Sequence, residues 1–207
     1  SQKKLINHGF LFRDNQERKN VIIALWRDGC KRLSEHYEWI RDTCRKGYAV
    51  LVLDITGMGM LEQRQFMSWP DKDGFYGAKY KLNADLLWLD DCLMALGCYD
   101  LLRSVEAIGQ IPNLDTADVQ FYTYGKYSLY GEIATFLNPE IKKVISEYPQ
   151  ESFGEVVEEK YYNPEDIASF VIPGILKYGD INDIRRWRNP ENNRNQELEE
   201  KYESSSQ

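Results

Sequence analysis

The residues from Val119 to Gly131 decide the fold of this chain and read VQFYTYGKYSLYG. Residues 119–124 are rich in β-branched and aromatic side chains, which predicts a buried β-strand. Gly125 follows at once and favours a tight turn, and the apolar spacing after it predicts a helix from about Leu129 to Leu137. The stretch therefore predicts a strand that passes through a tight turn into a helix, the repeating step of an α/β fold.

Three more apolar runs predict further buried strands, at Val21–Trp26, Tyr48–Leu53 and Ile141–Ser146. Between the first two runs, apolar residues recur at helical spacing over Leu33–Cys44, and Gly47 is placed to end that helix. A strand, a helix and a strand so close together form a βαβ unit, which pairs its strands in parallel with a right-handed crossover.

The remaining segments have less regular patterns. A helical pattern covers Asn83–Ile108 and is interrupted by Gly97, which predicts either two helices or one helix with a weak point. Residues 55–81 show no period and contain several glycines, which predicts a long loop. The shorter predicted elements are an edge strand near Phe10–Phe12, helices near Phe153–Val157 and Asp180–Arg188, and a packed turn at Val171–Leu176.

Buried strands separated by helices predict an α/β fold, with a doubly wound, mainly parallel sheet in a three-layer α/β/α arrangement. A chain of 207 residues is most simply one such domain. We place the domain at residues 20–188, after a polar segment at 1–19 and before a flexible polar tail at 189–207. Ligands of doubly wound sheets bind beyond the carboxyl ends of the strands, so we expect any site at residues 27–29, 54–59, 125–128 and just after 146.

Four phrases stand in order along the chain. They are VLVLDITGMG at 50–59, YDLLRSVE at 99–106, the turn and helix of 124–137 with the strand after it, and VIPGILKYGDI at 171–181. In this order they resemble α/β-hydrolases, most of all the acetyl xylan esterase-like branch, over roughly residues 20–188. Thr56 stands where that branch commonly has arginine. The resemblance implies a truncated α/β-hydrolase-like fold, because the strand that carries the catalytic acid would begin near the end of this sequence.

The resemblance also implies an activity. Its members are esterases that remove acyl groups, often acetyl groups of plant polysaccharides, with a Ser-Asp-His triad in the chain order nucleophile, acid, base. The nucleophile would lie in the turn after residues 119–124. The oxyanion hole would combine a backbone N–H near Arg27 and Asp28 with the N–H just past the nucleophile.

The residues of the turn fit this chemistry poorly in either alignment. If Gly125 is the small residue that precedes the nucleophile, Tyr127 takes the nucleophile position, and a phenol with a pKa near 10 is a poor acyl nucleophile at neutral pH. If Ser128 is the nucleophile, the bulky Lys126 and Tyr130 stand where small residues are needed. Tyr127 and Ser128 are therefore the candidate catalytic residues, but neither has the expected surroundings.

The general base is a second difficulty. A serine hydroxyl needs an imidazole or an equivalent group to accept its proton. The sequence has two histidines, His8 and His36, and both precede the turn, whereas the resemblance implies a base after it. We therefore favour a chain without a working triad and leave enzyme activity open.

Composition narrows the ligands and partners. The net charge of −7 argues against nucleic-acid binding, which needs a basic face. No apolar run reaches the roughly 18–20 residues of a membrane span and no leader peptide opens the sequence, so the compartment is left open. The four cysteines and two histidines show no metal-ligand spacing and no cofactor motif is complete, so we expect neither a metal nor a cofactor.

Three hypotheses for the function follow. The first is a non-catalytic scaffold or interaction module, in which a second copy or a partner chain completes a truncated sheet. The second is a carbohydrate (acetyl) esterase that uses Ser128 with an unidentified base. The third is carbohydrate binding through the 60–80 loop, where the aromatic side chains of Trp69 and Tyr76 can stack on a sugar ring.

Overall fold

One sheet in the computed structural model contains all the strands of the described residues: β1 (His8–Phe12), β2 (Val21–Leu25), β3 (Ala49–Asp54), β4 (Val119–Tyr124) and β5 (Lys143–Glu147). Their order in space is β1-β3-β2-β4-β5. β2 pairs in parallel with β3 and β4, and β4 with β5, whereas β1 is antiparallel to β3. The structure describes residues 6–14, 20–62, 78–114, 116–141, 143–160 and 167–188. The predicted mainly parallel sheet is confirmed.

The helices of the described residues are α1 (Tyr37–Arg45), α2 (Ala78–Trp88), α3 (Leu93–Ile108), α4 (Ser128–Leu137), α5 (Phe153–Glu158) and α6 (Ile181–Arg188). Short 3-10 turns lie at Gly29–His36, Gly59–Leu61, Thr116–Asp118, Gly125–Tyr127, Ile167–Ser169 and Ile175–Lys177. None of these helices combines the length and the apolar character that crossing a membrane requires.

The two faces of the sheet bury different sets of side chains. Along β2, Val21, Ile23 and Leu25 belong to a core formed with α3 and α4. The intervening Ile22 and Ala24 belong to a second core on the opposite face, under α1. Both faces are therefore covered by helices, which confirms the predicted three-layer α/β/α arrangement and explains why β2 is apolar at every position.

The helical pattern of 83–108 is broken at Asp90 and not at Gly97, as was predicted from the glycine. Asp90 has a φ of 56°, a left-handed conformation that separates α2 from α3. Gly97 lies inside α3 because a Cβ there would come within 2.4 Å of a ring carbon of Tyr130 on α4 and within 2.9 Å of Ile55. The glycine therefore permits close packing of α3 on α4 and does not end a helix.

Two other boundaries differ from the predictions. α1 begins at Tyr37 rather than near Leu33, because the preceding 3-10 segment is kinked at Arg32. The last strand is Lys143–Glu147 and is only half-buried, whereas a buried strand is predicted at 141–146. A turn in which Ile141 donates its N–H to the Asn138 carbonyl delays the strand, and among the described strands β5 pairs only with β4. The limits of the predicted domain at residues 19 and 188 stay predictions.

α6 is attached to α4 by a cluster of charges. Glu132 on α4 is 7% exposed and accepts hydrogen bonds from Arg185 Nε at 3.3 Å and Arg188 Nη1 at 2.8 Å. Arg188 also lies 3.4 Å from the hydroxyl of Thr135. A nearly buried carboxylate is thus neutralised by two arginines of one helix, which fixes α6 against the body of the domain.

Candidate functional site

The carboxyl ends of β3, β2, β4 and β5 lie side by side at one edge of the sheet. We call this edge the rim, and it consists of residues 26–30, 55–60, 125–128 and 148–150. The register pairs Leu25 of β2 with Thr123 of β4, so Arg27 and Gly125 each follow two residues later on neighbouring strands. The predicted oxyanion-hole segment and the predicted nucleophile turn therefore leave the sheet next to each other.

The bend between β4 and α4 occurs at Gly125. Tyr124 is still extended, with φ −125° and ψ 134°, whereas Gly125 has a φ of 61° and α4 begins after a single 3-10 turn. A nucleophile elbow holds its nucleophile at the strained residue of such a strand-to-helix turn. In this chain that residue is a glycine, and a Cβ built on it meets nothing within 4 Å. The elbow position is open and carries no functional group.

The two candidate nucleophiles lie beneath the rim. Tyr127 is 4% exposed, and its ring centroid lies 5.1 Å from that of Phe170. Ser128 is fully buried, and its Oγ accepts a hydrogen bond from the N–H of Gln150 at 3.1 Å. In this arrangement Tyr127 fills the core and Ser128 attaches the segment after β5 to the start of α4.

The predicted oxyanion-hole residues lie where the register puts them. Arg27 is exposed, and Asp28 is half-buried at the start of the 3-10 segment. The Asp28 carbonyl accepts a hydrogen bond from the N–H of Lys31 at 2.9 Å, and its carboxylate lies 3.6 Å from Nε of Arg32. A role of these backbone N–H groups in oxyanion binding stays a prediction.

Asp54, the last residue of β3, organises the opposite end of the rim. Its carboxylate is fully buried and accepts hydrogen bonds from the N–H of Cys30 at 2.7 Å and the N–H of Met60 at 3.1 Å. Gly29 and Gly59 lie against it, and a Cβ on either would come within 1.9 Å of Asp54 Oδ1. The carboxylate therefore holds together two rim segments whose backbones approach it too closely for any side chain.

His8 and Cys30 join this carboxylate. His8 Nδ1 lies 3.0 Å from Asp54 Oδ2, because the antiparallel register pairs His8 with Asp54. Burial and, second, the adjacent Asp54 carboxylate raise the pKa of the Cys30 thiol to about 12. The sequence analysis expects no metal-ligand set, yet one ligand atom from each of these three residues lies within 4.8 Å of the others. His8 and Asp54 are 46 positions apart in the sequence, so only the strand register brings them together.

His36 serves a packing role. Its ring stacks on Trp26 with centroids 3.9 Å apart, and Trp39 lies over Tyr122 with centroids 4.0 Å apart. Burial lowers the pKa of His36 more than the nearby carboxylates, Glu35 first among them, raise it. The imidazole is thus mainly neutral at pH 7 and forms part of an aromatic cluster on the α1 side of the sheet.

An apolar groove opens beside the elbow position and was not predicted from the sequence. It has a volume of about 790 Å³ and lies between α5 and residues 167–177. Its walls include Leu129, Phe153, Phe170, Ile172 and Leu176. Residues 171–176 give the sequence signal for it, because an apolar turn interrupted by Pro-Gly packs poorly as a strand. The aromatic residues Trp69 and Tyr76, predicted to bind sugars, lie outside the described residues.

Asp180 fixes the position of α5 against α6 at one end of the groove. Its carboxylate accepts hydrogen bonds from Ser152 Oγ at 2.6 Å and from the N–H groups of Phe153, Gly154 and Ile181 at 2.7, 3.1 and 2.7 Å. Burial raises the pKa of Asp180, but these four hydrogen bonds to the ionised form outweigh it. The pKa therefore lies below its ordinary value of 3.8.

Replacing Asp180 with asparagine is expected to destabilise the fold near neutral pH and to have a smaller effect in acid. Because the pKa is lower in the folded chain, the carboxylate stabilises the fold above the ordinary pKa, and this contribution is lost as the pH falls through the folded-state value. Melting temperatures of wild type and D180N at several pH values between about 2.5 and 6 should therefore converge at the acid end. The control is Asp85→Asn, in an exposed pair with Lys81; a D180N difference that does not change with pH would contradict the prediction.

No protein-family model and no curated protein matches this sequence. Solved structures do. A candidate acetyl xylan esterase from Bacteroides fragilis NCTC 9343 aligns over 91% of this chain and 55% of its own, with 10% identity and a TM-score of 0.66. An acetyl xylan esterase from Paenibacillus sp. R4 aligns over 76% and 49%, with 17% identity and a TM-score of 0.53. Acetyl xylan esterase 1 from Thermoanaerobacterium sp. JW/SL YS485 aligns over 73% and 47%, with 20% identity and a TM-score of 0.50.

The chain spans about half the length of these solved structures. At identities of 20% or less, the likeness shows the fold and does not transfer an activity. The chain therefore has an α/β-hydrolase-like fold, and the resemblance found in the sequence is confirmed at that level.

Proposed function

We propose that this chain is a non-catalytic α/β-hydrolase-like domain that acts by binding, with the apolar groove beside Gly125 as its binding surface. The observation that carries the proposal is the glycine at the elbow. The strand, the strained turn and the helix are all present, but the position that would hold the attacking oxygen has no side chain. The groove next to it is retained.

The geometry around the other candidates supports the absence of hydrolysis. Ser128 Oγ lies in the first turn of α4, excluded from solvent, and is already engaged with the N–H of Gln150. An ester carbonyl could reach it only after the start of α4 had opened. The alternative of a carbohydrate esterase that uses Ser128 is therefore the less favoured hypothesis.

Neither histidine is placed to act as a base at the elbow. His8 belongs to β1, three strands away from β4, and at about 4.8 Å per strand this is a separation of about 14 Å. It is also held at the Asp54 carboxylate. His36 is stacked on Trp26. Because the sequence has no other histidine, a Ser-His-Asp triad would need a base from another chain.

The groove suggests a small, neutral and mainly apolar ligand. Its volume of about 790 Å³ lies within the range of small-molecule pockets, and its walls are aliphatic and aromatic. The charged side chains at its border balance, with Lys126 and Lys177 against Glu155 and Glu159, so no net charge favours an ionic ligand. Sugar binding through Trp69 and Tyr76, and a copy or partner chain that pairs with β5, remain separate hypotheses.

Wild-type protein is expected to hydrolyse p-nitrophenyl acetate no faster than the buffer does, and Ser128→Ala is expected to leave that rate unchanged. Gly125→Ser, which returns a hydroxyl to the elbow, should also stay at background, because no base accompanies it. Fluorophosphonate labelling followed by mass spectrometry should find no modified serine in the wild type. A rate above background that S128A abolishes, or a labelled Ser128, would overturn the proposal in favour of the esterase.

The binding half is tested with the neutral fluorescent probe N-phenyl-1-naphthylamine. Its fluorescence should rise and saturate at one probe per chain. Leu176→Asp, in the groove and 46% exposed in the wild type, should weaken binding about tenfold or more, because a carboxylate is costly in an apolar pocket. Leu137→Asp, 58% exposed at the end of α4 and outside the groove, is the matched control. Equal affinities of the two variants, or no saturation, would exclude the groove.

A further inference from the structure

Three side chains with metal-binding atoms meet at the Asp54 end of the rim. His8 opens β1, Cys30 follows β2 and Asp54 ends β3, so each comes from a different segment of the chain. The histidine nitrogen, the cysteine sulfur and a carboxylate oxygen all lie within 4.8 Å of one another. We propose that these residues form a binding site for one divalent cation, and that Zn²⁺ is the cation that fits them best.

The ligand types favour Zn²⁺ over the common alternatives. Zn²⁺ is bound in proteins by thiolate sulfur, imidazole nitrogen and carboxylate oxygen, usually with four ligands in a tetrahedron. Mg²⁺ and Ca²⁺ require oxygen ligands, and this cluster offers only one carboxylate. Three protein ligands leave a fourth position for water or another small ligand. The side chain of His8 is 36% exposed, so a cation can reach the cluster from that side.

The present distances need little adjustment to hold a cation. Ligand atoms about 2.0 Å from a tetrahedral Zn²⁺ lie roughly 3.3 Å from each other. His8 Nδ1 and Asp54 Oδ2 are 3.0 Å apart, and the sulfur lies within the 4.8 Å limit. His8 begins its strand and is half-exposed, so its ring can move by the few tenths of an ångström that the cation requires.

The carboxylate is oriented in the manner of a metal ligand. The N–H of Cys30 fixes Oδ1 and the N–H of Met60 fixes Oδ2. An ionised carboxylate accepts about four hydrogen bonds, so both oxygens keep lone pairs for other partners. Groups that orient the ligands in this way largely set the affinity of a metal site. Gly29 and Gly59 enclose the carboxylate without a Cβ, which keeps it in one position.

Cobalt(II) is the probe for this site, because a Co²⁺–thiolate bond produces a charge-transfer absorption in the near ultraviolet. Titration of the full chain with Co²⁺ should produce that band at one ion per chain, and Zn²⁺ should remove it. Cys30→Ser should abolish the band. His8→Ala should weaken Co²⁺ binding at least about tenfold, since even an outer partner of a metal ligand commonly contributes that much.

The chain offers matched controls for both variants. Cys44→Ser removes another free cysteine, and His36→Ala removes the other histidine, and both should bind Co²⁺ like the wild type. Thermal melts of all four variants establish that they are folded, and His8→Ala tests the site independently if Cys30→Ser is not. Absence of the band, its persistence in C30S, or an equal loss in C44S would overturn the proposal.

Discussion

Replacing Gly59 with alanine is expected to lower the free energy of unfolding by about 3 kcal/mol, through backbone strain and overpacking together. Gly59 has a φ of 54°, where a side chain costs about 1 kcal/mol. The new Cβ would also lie 1.9 Å from Asp54 Oδ1 and 2.4 Å from the carboxyl carbon, which displaces the carboxylate. The hydrogen bonds from the N–H groups of Cys30 and Met60 would then be lost or stretched.

Gly125→Ala separates the two causes. Gly125 has a similar φ of 61°, but its Cβ would meet nothing within 4 Å. This variant should therefore lose only the strain of about 1 kcal/mol. Urea denaturation of both variants at neutral pH measures the difference. Equal losses would show that the contact with Asp54 contributes nothing, and that the close approach of Gly59 to the carboxylate has no energetic importance.

Replacing Glu132 with alanine is expected to destabilise the fold by about 2–3 kcal/mol, because it leaves two partly buried arginines without their counter-charge. The side chains of Arg185 and Arg188 are 26% and 22% exposed, so water recovers part of the loss that a fully buried pair would suffer. Arg185 also keeps its contact with Glu151. The expected value therefore lies below the 3–5 kcal/mol of a fully buried pair.

The control for Glu132 is Glu106→Ala. Glu106 pairs with Arg103 one turn earlier on α3, and both side chains are more than half exposed. Such surface pairs contribute about 0.5 kcal/mol or less. Urea denaturation should thus distinguish the two variants clearly, and Glu132→Gln should lie between them because it keeps two hydrogen-bond acceptor sites. A Glu132→Ala loss no larger than that of Glu106→Ala would contradict a structural role of the α4–α6 ion pairs.

The sheet could be predicted because its strands obey local rules. Residues 21–25 and 49–54 are apolar on both faces, and a strand buried between two helical layers has no polar face to display. The predicted βαβ pairing follows from the shortness of the connection between them. These features depend on the identities of neighbouring residues, which the sequence displays directly.

The break at Asp90 and the role of Gly97 could not be predicted in this way. A glycine inside a helical pattern has two meanings, a weak point or a close contact, and only the partner helix decides between them. At Gly97 the partner is Tyr130 on α4, which lies 33 residues away in the sequence. At Asp90 the left-handed conformation is carried by a residue that adopts it uncommonly.

The rim shows the same division. Its location was predictable, because parallel strands bring their carboxyl ends to one edge. The residue at the elbow was not, because a shift of one or two positions in the end of β4 decides whether Gly125, Tyr127 or Ser128 lies at the bend. The His8–Cys30–Asp54 cluster was hidden for a related reason, since it depends on the antiparallel register of β1 with β3.

The first strand also affects what the chain does before and after folding. β1 covers the outer side of β3, a strand of six residues whose every second side chain serves one of two cores. Without β1, the N–H and C=O groups of Ala49–Asp54 would line an open border, which is a template for pairing with any extended chain nearby. The short, mixed-polarity strand His8–Phe12 thus acts as a guard against aggregation, and shorter versions of the chain should retain it.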